Sequence, residues 1–207
     1  MRKGTLFVLA APSGGGKSVI CDAVLKDVEN LGYSISTTTR KQRECEVDGI
    51  NYFFVPVGEF KKMVKRNVFL EWAEVHGNYY GTRKDIIKKN LAEGKDIILD
   101  IDVQGALAVK EIFPDSVIIF ILPPSMKVLE ERLRGRHTDD EKTIQIRLNN
   151  ADGEIKSASK FDYYIVNSNL EESIYKIKAI IEAKKNQVIG HKFNITKDGN
   201  IEIKHKK

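Results

Sequence analysis

The chain has 207 residues, of which 42% are hydrophobic and 30% are charged. This length allows one sizeable core but not two large domains, so we expect one α/β domain with insertions. Lysine and arginine outnumber aspartate and glutamate by 34 to 29, for a net charge of +5. This mild excess suits a polyanionic ligand without demanding nucleic acid, and a solvated basic surface explains most of these residues equally well.

Cysteine content and the N-terminal segment bear on location. Cys21 and Cys45 form neither a disulfide framework nor a CxxC pair for zinc, which favours a reducing, cytoplasmic location. The start MRKGTLFVLAAP imitates a secretory signal, but cleavage near Ala11 would separate its apolar run from the glycine-rich motif that follows. We therefore expect this run to belong to the fold. No segment approaches the roughly eighteen apolar residues of a membrane-spanning helix.

A strand, a glycine-rich turn and a helix open the chain. Thr5 to Ala10 is a short apolar run, typical of a buried parallel strand. From Ser18 to Leu31, apolar residues recur at helical spacing, and Gly32 is typical of the position after a helix. Residues from about 34 to 91 are then richer in Thr, Tyr, Phe and Gly. Alternating segments such as INYFFVPV predict an inserted, partly β subdomain.

The alternation of strands and helices resumes after residue 94. Strands are predicted at 96–101, 116–122 and 163–166, and helices at 104–112, 125–134 and 170–188. This order predicts a parallel sheet with helices on both faces. We divide the single domain into a core (1–33, 92–134 and 151–190), an insertion (about 34–91), a lid (about 135–150) and a tail (191–207).

The lid and the tail are read from local patterns. Thr138 and Glu141 fit the capping box S/T-x-x-E, which predicts a helix that starts there and carries Arg147 about two turns in. The tail HKFNITKDGNIEIKHKK could form a hairpin around Asp198-Gly199, since FNI and IEI flank this turn dipeptide. It could equally be disordered, and we assign it no function.

The segment APSGGGKS matches the phosphate-binding pattern G-x-x-x-x-G-K-[ST] except at Ala11. Its three glycines allow successive N–H groups to turn toward one anion at the positive end of the following helix. Lys17 would reach the β- and γ-phosphates of a nucleotide, and Ser18 would ligate Mg²⁺. The strand before the motif and the helix after it support this interpretation.

The segment IILDID ends a predicted strand with two carboxylates. Asp100 and Asp102 are two residues apart and would point to the same side, at the strand end that faces the ligand crevice. One could hold the water shell of magnesium and the other a substrate; two solvated carboxylates are the alternative. DVQG also matches the D-x-x-G of GTPases, but no N-K-x-D guanine reader occurs, which disfavours a molecular switch.

The insertion carries residues suited to a phosphomonoester. Arg40 and Arg43 lie beside the hydroxyls of residues 36 to 39, and Tyr52 and Tyr80 could add O–H donors.

Glu71 lies between apolar residues, where a carboxylate is costly unless a donor satisfies it. Guanine offers adjacent N1–H and N2–H₂ donors to one carboxylate and adenine does not. Glu71 could therefore discriminate the two bases; an ordinary surface glutamate is the alternative.

The lid arginines suit the same chemistry. Arg132, Arg136 and Arg147 flank one loop and could supply positive charge to a transferring phosphoryl group. An exposed basic helix explains them too.

Taken together, these segments resemble the guanylate kinase family over nearly the whole chain. The resemblance rests on GTLFVLAAPSGGGKS, STTTRKQR, NYFF, FLEWAEVHGNYYGT, ILDIDVQG, FILPPS, RLRGR and IVN, of which GNYYGT and LDIDVQG in this order are the most specific. It implies a fold of the P-loop NTPase type and Mg²⁺-dependent transfer of the γ-phosphate of ATP to GMP, with dGMP as a further acceptor. It also implies a monomer or homodimer that acts on small nucleotides and binds neither nucleic acid nor a membrane.

The resemblance further implies the roles of individual residues. The expected catalytic residues are Lys17, Asp100, Arg136 and Arg147. The expected ATP-binding residues are Ser13, Gly14, Gly15, Gly16, Lys17, Ser18, Arg132, Arg136 and Asn167. The expected GMP-binding residues are Ser36, Arg40, Arg43, Tyr52, Glu71, Tyr80, Gly81, Thr82 and Asp102. Ser18 and Asp100 are expected at the metal, partly through water.

Three positions depart from the family pattern. Gln42 and Cys45 replace a common Pro and Gly, and His137 replaces a common Gly, which puts loop stiffness in doubt. The rival interpretation is a catalytically inactive, guanylate-kinase-like module that binds peptides. Such modules tend to lose the nucleotide residues, whereas Lys17 and Ser18 are intact here.

Overall fold

The computed structural model describes residues 3–44, 46–75, 77–135, 140–187, 191–195 and 201–205, and only the backbone of residue 75 and of the last two segments. The strands are β1 (Leu6–Ala10), β2 (Leu31–Tyr33), β3 (Thr37–Thr38), β4 (Phe53–Phe54), β5 (Phe69–Val75), β6 (Asn78–Arg83), β7 (Asp96–Asp100), β8 (Val117–Leu122), β9 (Tyr163–Val166), β10 (His191–Ile195) and β11 (Ile201–His205). The helices are α1 (Lys17–Asp27), α2 (Val57–Lys65), α3 (Lys84–Ala92), α4 (Val103–Ile112), α5 (Met126–Arg134), α6 (Glu141–Lys156) and α7 (Leu170–Lys185), and a 3₁₀ turn covers Ser157–Lys160.

A five-stranded parallel sheet in the order β2-β7-β1-β8-β9 forms the core. Its central strand β1 alternates between two apolar layers: Leu6 and Val8 pack with α3 and α4, whereas Phe7 and Leu9 pack with α1 and α7. Because both faces are buried, the strand reads as a continuous apolar run. The predicted α/β class, with helices on both faces of a parallel sheet, is confirmed. The run that imitates a secretory signal is this central strand.

The segment between β2 and β7 contains a second sheet, in the order β4-β3-β6-β5. Strands β3 and β4 are parallel, and the other two pairs are antiparallel. Helix α2 packs on this sheet through Phe60, whose ring stacks on Phe69 at 4.5 Å and on Tyr79 at 5.4 Å. Strand β5 connects the insertion to the core, because Leu70 is buried in the cluster that contains α4.

The first helix is shorter than predicted. Helix α1 ends at Asp27, and Leu31 and Gly32 belong to β2, which pairs with β7. Asn30 has a φ of 60°, which ends any helical path before Leu31. Leu31 packs in the same apolar layer as α1. It is therefore apolar at a position that extends the helical pattern of the sequence, although it belongs to a strand.

The start of the lid helix also differs. Asp140 is the N-cap of α6, and its Oδ1 accepts the backbone N–H of Thr143 at 2.7 Å. The predicted capping box of Thr138 and Glu141 is therefore wrong; Thr138 itself lies outside the described residues. Helix α6 runs unbroken to Lys156, so the boundary placed near residue 150 falls inside it.

The tail strands β10 and β11 pair antiparallel, from His191 opposite His205 to Ile195 opposite Ile201. This agrees with the hairpin alternative, although Asp198-Gly199 lies outside the described residues. In the described part of the chain, no helix is long and apolar enough to cross a membrane.

The entry into β1 makes Gly4 sensitive to substitution. A Cβ at Gly4 would lie 1.9 Å from the carbonyl oxygen of Lys95, and the Gly4 N–H donates to Leu91 at 2.8 Å. We expect Gly4→Ala to lower the free energy of unfolding by about 2 kcal/mol or more, because backbone must move. Gly58→Ala is the matched control: it has open space on α2 and should gain about 0.5–1 kcal/mol from helix propensity. Urea unfolding measures both, and an unchanged stability of Gly4→Ala would contradict this packing.

Candidate functional site

The glycine-rich loop joins β1 to α1 and presents unsatisfied donors. Gly14 and Gly16 have φ angles of 91° and 89°, which L side chains rarely adopt, and Gly15 N–H donates to the Pro12 carbonyl at 2.8 Å. No side chain caps the start of α1. The first N–H groups of the helix are thus available to an anion. A pocket of about 290 Å³ lies over this loop.

Lys17 lies at the end of the loop and reaches the neighbouring strand. Its Nζ lies 2.5 Å from Asp100 Oδ1 and donates to the carbonyl of Ile101 at 2.6 Å. The carboxylate at the end of β7 thereby balances the charge of the lysine.

A second cleft, of about 400 Å³, lies between the core and the insertion. Eight residues predicted for the site line it: Lys17, Ser18, Ser36, Tyr52, Glu71, Tyr80, Asp100 and Asp102. Asp22 and Tyr33 also line it and were not predicted. Lys17, Ser18 and Asp102 line this cleft and the loop pocket alike, so the two spaces meet at these side chains.

Arg40 is held beside the cleft by a carboxylate that was not predicted. Its Nη2 donates to Glu46 Oε1 at 2.6 Å, and its guanidinium lies 5.3 Å from the centre of the Tyr52 ring. Glu46 Oε2 accepts the backbone N–H of Arg43 at 2.9 Å. The hydrogen bond from Arg40 lowers the pKa of Glu46. The sequence could have indicated Glu46, since it is an acidic residue three positions after Arg43, the second of two closely spaced arginines.

Glu71 faces the cleft from β5. Thr82, which is fully buried on β6 beside Gly81, donates its hydroxyl to Glu71 Oε1 at 2.5 Å. Burial raises the pKa of Glu71; the Thr82 hydrogen bond opposes this shift and the negative charge of Asp102 adds to it. Glu71 is therefore a half-buried carboxylate with one oxygen held by the protein, and the solvated-glutamate alternative does not fit this geometry.

Asp102 has a structural contact as well as a place in the cleft. It is the N-cap of α4, and its Oδ1 accepts the N–H of Gly105 at 2.7 Å. Strand β7 ends at Asp100, so the two aspartates share the cleft although only the first belongs to the strand.

Helices α5 and α6 each carry an arginine that contacts the glycine-rich loop or the segment behind it. Arg147 Nη1 donates to Ser13 Oγ at 3.2 Å, and Arg132 Nη2 donates to the backbone carbonyl of Asn167 at 2.9 Å. Glu154, which was not predicted, lines the loop pocket, and burial raises its pKa. Arg136 lies outside the described residues, as do Cys45 and His137.

The donors present fit a magnesium ion. Ser18 and Asp100 offer a hydroxyl and a carboxylate to one cleft. Within the described ranges, no group of three or more His, Cys, Asp or Glu side chains converges on a point. A hydroxyl and a carboxylate are oxygen ligands, the type that Mg²⁺ takes from proteins.

Comparison with known proteins gives a consistent result. The family model described as Guanylate kinase matches residues 3–184. The guanylate kinase of Caldanaerobacter subterraneus subsp. tengcongensis is 48% identical over 187 residues, covering 90% of this chain and 91% of the relative. That of Clostridium acetobutylicum is 46% identical over 202 residues, covering 97% and 96%. The crystal structure of guanylate kinase from Anaplasma phagocytophilum matches with a TM-score of 0.72 and 34% identity, over 90% of this chain and 88% of that one.

The raised pKa of Glu71 predicts a cost to stability. Below the unfolded pKa of about 4.3, Glu71 is protonated in both the folded and the unfolded state, and its contribution to the free energy of unfolding is fully present. This contribution is lost as pH rises through the higher folded pKa, because the carboxylate then ionises in its buried position. Glu71→Gln removes this loss and can still accept the Thr82 bond, so we expect it to be more stable than the parent at about pH 7.5, with the difference shrinking toward about pH 4.

Urea unfolding at both pH values tests this expectation. Glu111→Gln, an exposed change on α4, is the control and should show no such pH dependence. A Glu71→Gln variant less stable than the parent near neutral pH would show that the carboxylate stabilises the fold.

Proposed function

Since the chain belongs to the guanylate kinase family, we propose that it catalyses transfer of the γ-phosphate of ATP to GMP, giving ADP and GDP. The chain is an enzyme, and its substrates are nucleotides. One observation carries the assignment to this site: the loop pocket and the insertion cleft share Lys17, Ser18 and Asp102. Two nucleotides bound in the two spaces would bring their phosphates together at these residues.

The donor half is the glycine-rich loop. The triphosphate of ATP would rest on the backbone N–H groups around residues 13–18, at the positive end of α1. Arg147 and Arg132 already contact the loop or the segment behind it. The family resemblance adds Arg136 to this cationic group.

The acceptor half is the cleft under the insertion. Arg40, Tyr52 and Tyr80 lie together, with the two tyrosine rings 6.1 Å apart, and would hold the phosphate of GMP with Arg43. Glu71 would accept the N1–H and N2–H₂ donors of guanine.

The rest of the guanine site would be built around Glu71. Ser36 and Asp102 line the same cleft. Gly81 and Thr82 are buried beside it on β6, and Thr82 orients the Glu71 carboxylate.

The chemistry needs no covalent intermediate. A phosphate oxygen of GMP attacks the γ-phosphorus in line, while Lys17 and the arginines offset the charge that develops on the transferred group. Closure of the lid and the insertion excludes water, which would otherwise act as the acceptor. Ser18 and Asp100 would hold Mg²⁺, which when bound would supply positive charge to offset that of the phosphates.

The finer points of the proposal rest on the resemblance. We include dGMP as an acceptor, a monomer or homodimer as the assembly, and a cytoplasmic location, which the low cysteine content supports. The inactive-module alternative gains no support: Lys17, Ser18 and Asp100 are present and share one cleft.

A coupled assay of ADP release tests the activity. We expect turnover with ATP and GMP and little or none when AMP replaces GMP, because adenine lacks the donors that Glu71 would accept. Absence of GMP-dependent turnover would contradict the proposed function.

Lys17→Ala tests the role of the shared lysine. We expect kcat to fall about a hundredfold or more, because charge on the transferred group loses its closest compensation, while the Kd for GMP changes less than about threefold. Stopped-flow or steady-state kinetics and calorimetry measure the two quantities, with Lys26→Ala, an exposed change on α1, as control. Loss of GMP binding with kcat retained would place Lys17 on the acceptor instead.

A further inference from the structure

Asn167, immediately after β9, lies behind the glycine-rich loop and connects three elements. Its Nδ2 donates to the Gly15 carbonyl at 2.9 Å, its backbone carbonyl accepts from Arg132 Nη2 at 2.9 Å, and its backbone N–H donates to Leu122 at 2.8 Å. Only 6% of the residue is exposed. One buried residue therefore joins the loop, helix α5 and the end of β8.

The third glycine of the loop makes room for this amide. A Cβ at Gly16 would lie 2.5 Å from Asn167 Nδ2, and the φ of 89° disfavours any L side chain. The loop backbone thus rests directly on the Asn167 side chain. Arg132 Nη1 lies 3.9 Å from the position that a Cβ of Gly16 would occupy. This nitrogen is buried with no hydrogen-bond partner among the described residues.

Ser173 fixes the orientation of the Asn167 amide. Its hydroxyl lies 3.2 Å from Asn167 Oδ1 and 2.8 Å from the carbonyl of Asn169, and the residue is 1% exposed. The Gly15 carbonyl can only accept, so the NH₂ end of the amide must face it and the oxygen must face Ser173. The NH₂ end of the side chain is thereby held against the loop carbonyl, and the oxygen end lies against Ser173 inside the protein.

We propose that Asn167 is a positioning residue, which supports the donor triphosphate through the loop and makes no contact with the adenine base. It keeps the Gly15 carbonyl turned away from the phosphates, and its backbone carbonyl holds Arg132 beside the loop. Ser173 assists by orienting the amide. This inference deepens the proposed function, since it concerns the same ATP site.

Inorganic tripolyphosphate, which has no base, separates the two roles. Calorimetry would compare its binding with that of ATP in the parent, in Asn167→Ala and in Ser173→Ala. Loss of a buried hydrogen-bond partner weakens such contacts by about fivefold or more, so we expect Asn167→Ala to weaken both ligands by the same factor of this size. Ser173→Ala should weaken both by a smaller common factor, and the Kd for GMP should stay within about twofold.

Ser116→Ala is the matched control. Ser116 is 3% exposed, its hydroxyl has no partner in the described part of the chain, and it precedes β8 at the end far from Leu122. It should leave both affinities unchanged. If Asn167→Ala does not fold, the binding of tripolyphosphate and of ATP to Ser173→Ala tests the inference in its place.

Weaker ATP binding with unchanged tripolyphosphate binding would overturn the inference in favour of a base contact, and unchanged binding of both ligands would overturn it altogether. Tripolyphosphate binding requires no turnover, so a chain that failed to phosphorylate GMP would contradict the proposed function alone.

Discussion

The ammonium group of Lys17 contacts Asp100 and the carbonyl of Ile101, and these contacts join the glycine-rich loop to the end of β7. A partly buried ammonium needs a negative partner, because the loss of its hydration costs several kcal/mol. Asp100 provides that partner. The lysine is thereby held at the point shared by the donor pocket and the acceptor cleft. The loop residues line the donor pocket with it, and Glu71 lines the acceptor cleft with it.

The same compensation of charge recurs around the site. Arg40 is paired with Glu46, and Arg134 joins α5 to the start of α6 through Glu141. Lys17 and Arg40, two cations predicted for the site, are thus each paired with a carboxylate. Glu71 is the reverse case: its burial raises its pKa, and the hydrogen bond from the Thr82 hydroxyl opposes this shift without cancelling it. A group that costs stability in the free protein and can pair with a substrate is typical of functional sites.

Local patterns predicted much of the fold. The continuous apolar strands and the glycine-rich loop were identified because neighbouring residues define them. The end of α1 was misplaced because Leu31 packs on the same apolar layer as the helix while belonging to β2. The start of α6 was misplaced because two residues that can cap a helix lie close together, and the structure uses Asp140. In the site, the support of Gly15 by Asn167 spans 152 residues, and no local pattern indicates such a contact.

In the proposed complex, two nucleotides bind on opposite sides of Lys17 and their phosphates meet there. A compound that joins adenosine to guanosine through a polyphosphate chain tests it most directly. We expect one molecule to bind per chain, to be displaced by ATP alone and by GMP alone, and to be held more tightly than either, because binding of its second half is intramolecular. Displacement by only one of the two nucleotides, or an affinity no higher than that of the better one, would contradict it.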